Sequence, residues 1–171
     1  MEARIDLTKE YGLVLEGGGA KGAYQIGAWK ALKEAGVKIK GIAGTSVGAL
    51  NGALICMGDI ETAENLWKNI SYSKIMSVDD EVVEKVFQHK KISREELRGM
   101  TERLAGGGLD VTPLKELIAQ SIDEEKIQNS PIDLYVLTFS VDEFRELDID
   151  IKEAEPELIK RSEERRVGKE C

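Results

Sequence analysis

The chain has 171 residues, 42% of them hydrophobic, which is enough to bury the core of one domain. Its formal net charge of −8 excludes the electropositive groove of a nucleic-acid-binding protein, and no block of lysine and arginine forms a patch for anionic lipid. Residues 1–6 lack an apolar leader, and the longest apolar run, residues 47–58, is too short to cross a bilayer. We therefore expect a cytoplasmic protein that meets lipid, if at all, through apolar contacts.

The first predicted strand and helix are joined by a glycine-rich loop. Residues 13–16 form a short apolar run that predicts a buried parallel strand, and residues 23–34 predict a helix. The loop between them contains Gly17, Gly18, Gly19, Lys21 and Gly22. The inward positions of the helix are Ile26, Trp29 and Leu32.

The second predicted strand, residues 37–43, runs into a Gly-x-Ser-x-Gly motif before a helix over residues 47–57. The motif comprises Gly44, Thr45, Ser46, Val47 and Gly48. A strand-to-helix turn of this kind strains its central serine and leaves the hydroxyl exposed at the end of a sheet. Ser46 is therefore the candidate nucleophile, although the motif alone also fits an ordinary tight turn.

The glycine loop supplies the groups that such a nucleophile needs. An ester carbonyl attacked by Ser46 becomes an oxyanion, and backbone N–H groups stabilise that charge. We expect backbone N–H groups of the loop at residues 17–22 to face this oxyanion because glycines leave their N–H groups unhindered. Lys21 either assists the loop by its charge or is solvated at the start of the helix.

The same loop has a second interpretation. Residues 17–22 spell Gly-x-Gly-x-x-Gly between a strand and a helix, the pattern of a dinucleotide-binding module. Such a module needs an acidic residue about twenty positions further on. No aspartate or glutamate occurs between Glu34 and Asp59. A noncatalytic scaffold with the same fold is a third alternative.

Later segments complete an α/β pattern. Helices are predicted in the middle of the chain, at residues 59–70, from 79 or 80 to 88, and at 93–104. A glycine run at 106–108 is followed by a helix with Thr112 as N-cap and Pro113 as its first residue. Residues 133–141 and 144–151 predict two strands that form a hairpin. The middle helices are an insertion, and the fold class is α/β with a mainly parallel sheet flanked by helices.

The two glycine motifs resemble those of the patatin-like phospholipases, which are lipid acyl hydrolases with a Ser-Asp dyad. The resemblance rests on residues 17–22 and 44–51 and extends more loosely to 148–151. It implies a three-layer sandwich, Ser46 as nucleophile and Gly17–Gly19 as oxyanion hole. It also implies an acyl-enzyme, a phospholipid or lysophospholipid ester as substrate, transient contact with a membrane surface, and no metal or organic cofactor.

The resemblance implies that the base is an aspartate in a late Asp-Gly-Gly or Asp-Gly-Ala motif. The sequence contains no Asp-Gly dipeptide, so we expect residues 1–160 to be the N-terminal portion of the acyl hydrolase domain, incomplete at the C-terminus and nearly inactive. Residues 161–171 resemble the translation of a sequencing adapter and are expected to be a non-native tail; a frayed charged helix is the alternative.

Other polar and aromatic residues have simpler interpretations. His89 is the only histidine and lies in a polar stretch, which disfavours a Ser-His-Asp triad. Trp29 and Trp67 are predicted to be core residues. Four acids near the late strands have no glycine after them and are not assigned as the base. They are Asp133, Asp142, Asp148 and Asp150.

Overall fold

A computed structural model describes residues 5–75, 93–95, 98–99, 110, 112–140 and 144–154. The strands are β1 (Glu10–Leu15), β2 (Lys38–Gly44), β3 (Asp133–Ser140) and β4 (Arg145–Asp150). The helices are α1 (Gly22–Glu34), α2 (Val47–Met57), α3 (Ile60–Asn69), α4 (Thr112–Ser121) and α5 (Glu124–Gln128), and 3-10 turns cover Gly19–Lys21 and Tyr72–Lys74.

The strands form one sheet in the order β1-β2-β3-β4. The first three strands are parallel, and β4 pairs antiparallel with β3. This confirms the α/β class, the mainly parallel sheet and the late hairpin. Leu15 and Gly44 pair at the carboxyl ends of β1 and β2, so the glycine loop and the serine motif leave the sheet at the same edge.

Helix α2 packs tightly against the middle of the sheet. Leu54 on α2, Ile42 on β2 and Leu134 on β3 are all at most 2% exposed. A Cβ atom built on Gly52 would lie 2.8 Å from Leu134 Cδ1 and 3.1 Å from Ile42 Cγ2. The absence of a side chain at Gly52 therefore lets α2 approach the sheet closely, and larger residues at this position would push α2 away.

Two of the three predicted inward positions of α1 lie in the core. Ile26 and Trp29 of α1 are 2% and 4% exposed, which confirms them as core residues.

Asp59 caps α3 through Thr62, whose backbone N–H and hydroxyl donate to the carboxylate at 3.0 and 2.7 Å. The hydrogen bond from the Thr62 backbone N–H is the largest cause that lowers the pKa of Asp59, and the bond from the Thr62 hydroxyl is the second.

The prediction that β1 is buried on both faces is wrong for the part of the chain that the structure describes. Leu13 faces the core, whereas Val14 is 87% exposed. Val14 aligns with Ala43 and Tyr135 in one row across three strands. Because side chains alternate along a strand, this row lies on the face opposite α2.

The chain divides into two compact units, residues 1–67 with 122–171, and residues 68–121. In the second unit Asp110 accepts hydrogen bonds from the backbone N–H and the hydroxyl of Thr112, at 2.9 and 2.6 Å. Thr112 is the first residue of α4 rather than its N-cap, a shift of one position.

Several predictions lie outside the described residues. They are the helix at 79–88, His89, Asp142, the glycine run at 106–108, the tail at 161–171 and, apart from helical residues 94–95 and 98–99, the helix at 93–104.

Candidate active site

Ser46 occupies a strained turn between β2 and α2. Its backbone angles are φ 54° and ψ −129°, a region that residues with a side chain rarely adopt. Among the described residues only Phe144 shares a positive φ without being glycine. Such strain costs about 1–3 kcal/mol and persists where the surrounding structure enforces it, commonly at functional sites.

Backbone hydrogen bonds enforce the conformation of this turn. The Thr45 N–H donates to the Leu15 carbonyl at 3.2 Å, which ties the turn to the end of β1. The Ala49 N–H donates to the Ser46 carbonyl at 2.9 Å and starts α2. Ser46 therefore sits at the N-terminus of a buried helix, where the helix dipole favours developing negative charge.

Both glycines of the motif lie against backbone atoms. A Cβ on Gly44 would lie 2.5 Å from the Gly48 carbonyl oxygen. A Cβ on Gly48 would overlap the Leu15 carbonyl oxygen and lie 2.8 Å from that of Glu16. Backbone atoms cannot rotate away as a flexible side chain can, so these positions admit only glycine while α2 keeps its place on β1.

The glycine loop meets the serine turn in space. A Cβ on Gly17 would lie 3.1 Å from Ser46 Cβ and 3.8 Å from Ser46 Oγ. Gly18 and Gly19 have φ values of 145° and 56°, which favour glycine. The structure thus brings together two segments that are about thirty residues apart, as the interpretation as an oxyanion hole requires.

The other loop residues have different surroundings. Lys21 is exposed, and its side chain lies alongside Gly18, where a Cβ would be 3.3 Å from Lys21 Cδ. Gly22 begins α1 in contact with its neighbours: a Cβ there would lie 2.5 Å from the Trp67 ring and 2.6 Å from Val47 Cγ2. Gly22 therefore serves packing between helices.

Asn51 is a site residue that sequence reasoning missed. It is 0% exposed, and its Nδ2 donates to the Gly22 carbonyl at 2.9 Å and to Gln25 Oε1 at 2.8 Å. Its Oδ1 accepts from Trp67 Nε1 at 2.8 Å. The sequence did contain a signal for this role, namely one amide inside an otherwise apolar helix. A buried amide needs hydrogen-bond partners, so its position indicated a contact with a neighbouring element.

We predict that Asn51→Ala lowers the free energy of unfolding by about 2–5 kcal/mol, because it removes the acceptor of the Trp67 N–H and the donor to Gln25 Oε1. Urea denaturation followed by tryptophan fluorescence measures the change. The matched control is Asn129→Ala at the exposed end of α5, where the loss should stay below about 1 kcal/mol. Equal losses in both variants would contradict the role given to Asn51.

Asp133, one of the acids of the late strands, does not lie beside Ser46 in the register of the sheet. Asp133 pairs with Gly41, three positions before Gly44, and so lies toward the opposite edge. Lys152 contacts its carboxylate at 2.8 Å and Lys40 at 3.9 Å. The hydrogen bond from Lys152 is the main cause that lowers the pKa of Asp133. Asp133 therefore anchors the start of β3.

Two kinds of feature are absent from the part of the chain that the structure describes. No three His, Cys, Asp or Glu side chains there cluster closely enough to hold a metal ion. None of the helices described there has the length and apolar character needed to span a membrane.

Comparisons with known proteins point in one direction. The model of the patatin-like phospholipase family matches residues 13–162. The lysophospholipase nte1 of Aspergillus terreus is 61% identical over 52 residues, which is 30% of this chain and 3% of that protein. The neuropathy target esterase sws of Drosophila persimilis is 60% identical over 45 residues, 26% of this chain and 3% of that protein.

A solved structure is also similar. VipD from Legionella pneumophila aligns over 84% of this chain and 39% of its own, with 17% identity and a TM-score of 0.49. The alignments with the curated relatives named above cover about 3% of each relative's length. What those proteins do as wholes is therefore not transferred to this chain by the matches alone.

Proposed function

The chain belongs to the patatin-like phospholipase family, and on this basis we propose that it provides the nucleophile and oxyanion hole of a lipid acyl ester hydrolase. The observation that carries the proposal is the contact between Gly17 and the strained Ser46, with 3.8 Å between a Cβ built on Gly17 and the serine Oγ. A turn that served only to pack α2 on the sheet would not need a second glycine loop beside the Ser46 hydroxyl.

In the proposed reaction the Ser46 hydroxyl attacks the ester carbonyl while a base takes its proton. The carbonyl oxygen becomes negative and is stabilised by N–H groups of Gly17, Gly18 and Gly19. The C–O bond then breaks, the alcohol leaves with a proton, and an acyl-serine remains. Water attacks this acyl-enzyme, releases the fatty acid and restores the serine.

We propose that the base is an aspartate of an Asp-Gly motif, as the family resemblance implies. No aspartate in the 171-residue sequence is followed by glycine. We therefore expect the chain by itself to hydrolyse esters far more slowly than a protein in which the same segment is joined to such a motif. Asp133 is a poor substitute because its ion pairs with Lys152 and Lys40 engage its carboxylate away from Ser46.

The substrate class that we propose is a phospholipid or lysophospholipid ester. The names of the similar proteins, a lysophospholipase and an esterase, support an ester with one acyl chain as the first substrate to test. The net charge of −8 favours brief, mainly apolar contact with a lipid surface over electrostatic binding to anionic lipid. We also propose a cytoplasmic location.

The dinucleotide alternative meets a steric obstacle. Its acidic residue would have to stand at the end of β2, where it reaches the ribose. That position is Gly44, and a Cβ there would lie 2.5 Å from the Gly48 carbonyl oxygen, so an acidic side chain does not fit. Calorimetric titration with NAD tests this alternative directly.

The experiment that tests the proposal uses the whole protein that carries this segment. We expect a fluorophosphonate probe to form an adduct that mass spectrometry locates on Ser46, and fatty acid to be released from 1-acyl lysophosphatidylcholine. A probe that labels other serines equally, or intact lysolipid after prolonged incubation with unlabelled enzyme that the probe labels in a parallel sample, would refute an esterase centred on Ser46.

A further inference from the structure

A chain of side-chain hydrogen bonds leads from Trp67 to the peptide before the glycine loop. Trp67 Nε1 donates to Asn51 Oδ1, Asn51 Nδ2 donates to Gln25 Oε1, and Gln25 Nε2 donates to the Glu16 carbonyl. Each of the three bonds is 2.8 Å long. The chain thus links α3, α2 and α1 to the carboxyl end of β1.

The direction of this chain is fixed by its first member. An indole N–H can only donate, so Asn51 must present its oxygen to Trp67 and its NH₂ group to Gln25. Gln25 must then present its oxygen to Asn51, which leaves its own NH₂ group for the Glu16 carbonyl. A flip of Asn51 would break its bonds to Trp67, Gln25 and the Gly22 carbonyl, which water cannot replace because Asn51 is 0% exposed. A flip of Gln25 would break its bonds to Asn51 and to the Glu16 carbonyl, the second of which lies at the surface.

The last bond bears on the oxyanion hole through the geometry of the peptide group. The Glu16 carbonyl and the Gly17 N–H belong to one rigid trans peptide and point in opposite directions. A donor that holds the carbonyl therefore also sets the direction of the N–H. Glycine at positions 17 to 19 leaves the loop free to adopt many other conformations, and the Gln25 contact selects one of them.

We propose that Gln25 is a positioning residue that aims the Gly17 N–H at the oxyanion, with Asn51 and Trp67 holding Gln25 in place. This inference rests on the proposed function of the glycine loop. It assigns to Gln25 a contribution to the rate of the chemical step, made through the Glu16–Gly17 peptide rather than by contact with substrate.

The variant that tests the inference is Gln25→Met, which keeps the length and helix propensity of the side chain but removes its donor. Asn51 retains the Gly22 carbonyl as a partner, so the buried amide stays satisfied. The matched control is Gln128→Met, the same substitution at an exposed position of α5.

In the whole protein that carries this segment, sites are counted by fluorophosphonate titration, and lysophosphatidylcholine hydrolysis is expressed per titrated site. We expect Gln25→Met to lower kcat about tenfold or more and to change KM less than about twofold, because a transition-state donor is misdirected. Partial unfolding would reduce the number of sites but not kcat per site. An unchanged kcat per site would overturn the inference.

A second measurement on the 171-residue chain does not depend on activity. We expect ¹⁵N relaxation to show the Gly17 amide as ordered in the wild type and in Gln128→Met, and its order parameter to fall below about 0.6 in Gln25→Met. If the wild-type protein hydrolyses no ester, the proposed function fails, and the relaxation result alone decides whether Gln25 orders the loop. An equally ordered Gly17 in Gln25→Met would overturn that ordering role as well.

Discussion

Replacing Ser46 by alanine is expected to abolish ester hydrolysis by the whole protein that carries this segment, with kcat lowered by about 10⁴-fold or more. The proposed reaction has no other group to form the acyl-enzyme, and the oxyanion hole alone retains only a small part of the rate. Initial rates on lysophosphatidylcholine measure the effect. The matched control is Ser121→Ala at the end of α4, which should leave kcat unchanged.

A second replacement at the same position separates catalysis from strain. Glycine tolerates φ 54° and ψ −129°, so Ser46→Gly should remove activity as fully as Ser46→Ala while raising the free energy of unfolding by about 1 kcal/mol. Urea denaturation of both variants measures the difference between them. Residual hydrolysis in either variant, or a Ser46→Gly protein less stable than Ser46→Ala, would contradict a strained nucleophile.

The gain in the free energy of unfolding expected for Ser46→Gly would measure what the serine side chain costs at this position. The described part of the chain has a second non-glycine residue at positive φ, Phe144, and that residue lies at the β3–β4 connection. A hairpin connection commonly needs positive φ. The strand-to-helix turn likewise needs positive φ at position 46, but glycine would make the same turn at lower energy. The hydroxyl group is thus the property that the strained position retains.

The sequence predicts the local parts of the site well. Helix α2 begins and ends at the predicted residues 47 and 57, because the motif glycine marks its start and Gly58, at φ 74°, terminates it. The meeting of the Gly17 loop with Ser46 follows from a topological rule, since parallel neighbouring strands bring their carboxyl ends to one edge. Those two features need only short-range pattern and chain order.

Features that depend on distant partners escaped prediction. The bond between Asn51 and Gln25 joins residues 26 positions apart, and nothing in the spacing of an asparagine and a glutamine on separate helices indicates it. The exposure of Val14 likewise depends on which face of the sheet α2 covers. An apolar run identifies a strand but does not reveal whether both faces are covered.

Replacing Gly48 by alanine is expected to lower the free energy of unfolding by more than about 4 kcal/mol or to prevent folding. The new Cβ would overlap the Leu15 carbonyl oxygen and approach that of Glu16, and both are backbone atoms at the end of β1. Relief requires α2 to move off the sheet, which opens the core around Leu54 and Ile42. Urea denaturation of the 171-residue chain, followed by the fluorescence of Trp29 and Trp67, measures the loss.

The matched control is the same substitution at Gly27, in the middle of α1, where nothing beyond the adjacent residues and the backbone of the helix itself lies within 4 Å of a new Cβ. Alanine is the better helix former, so Gly27→Ala should raise the free energy of unfolding by up to about 1 kcal/mol. The two glycine-to-alanine changes are therefore expected to shift the free energy of unfolding in opposite directions. Backbone atoms occupy the place of a Cβ at Gly48, whereas the space beside Gly27 is open. A Gly48→Ala protein as stable as Gly27→Ala would mean that α2 does not approach β1 this closely. The Gly17 loop would then lose the support that places it at Ser46.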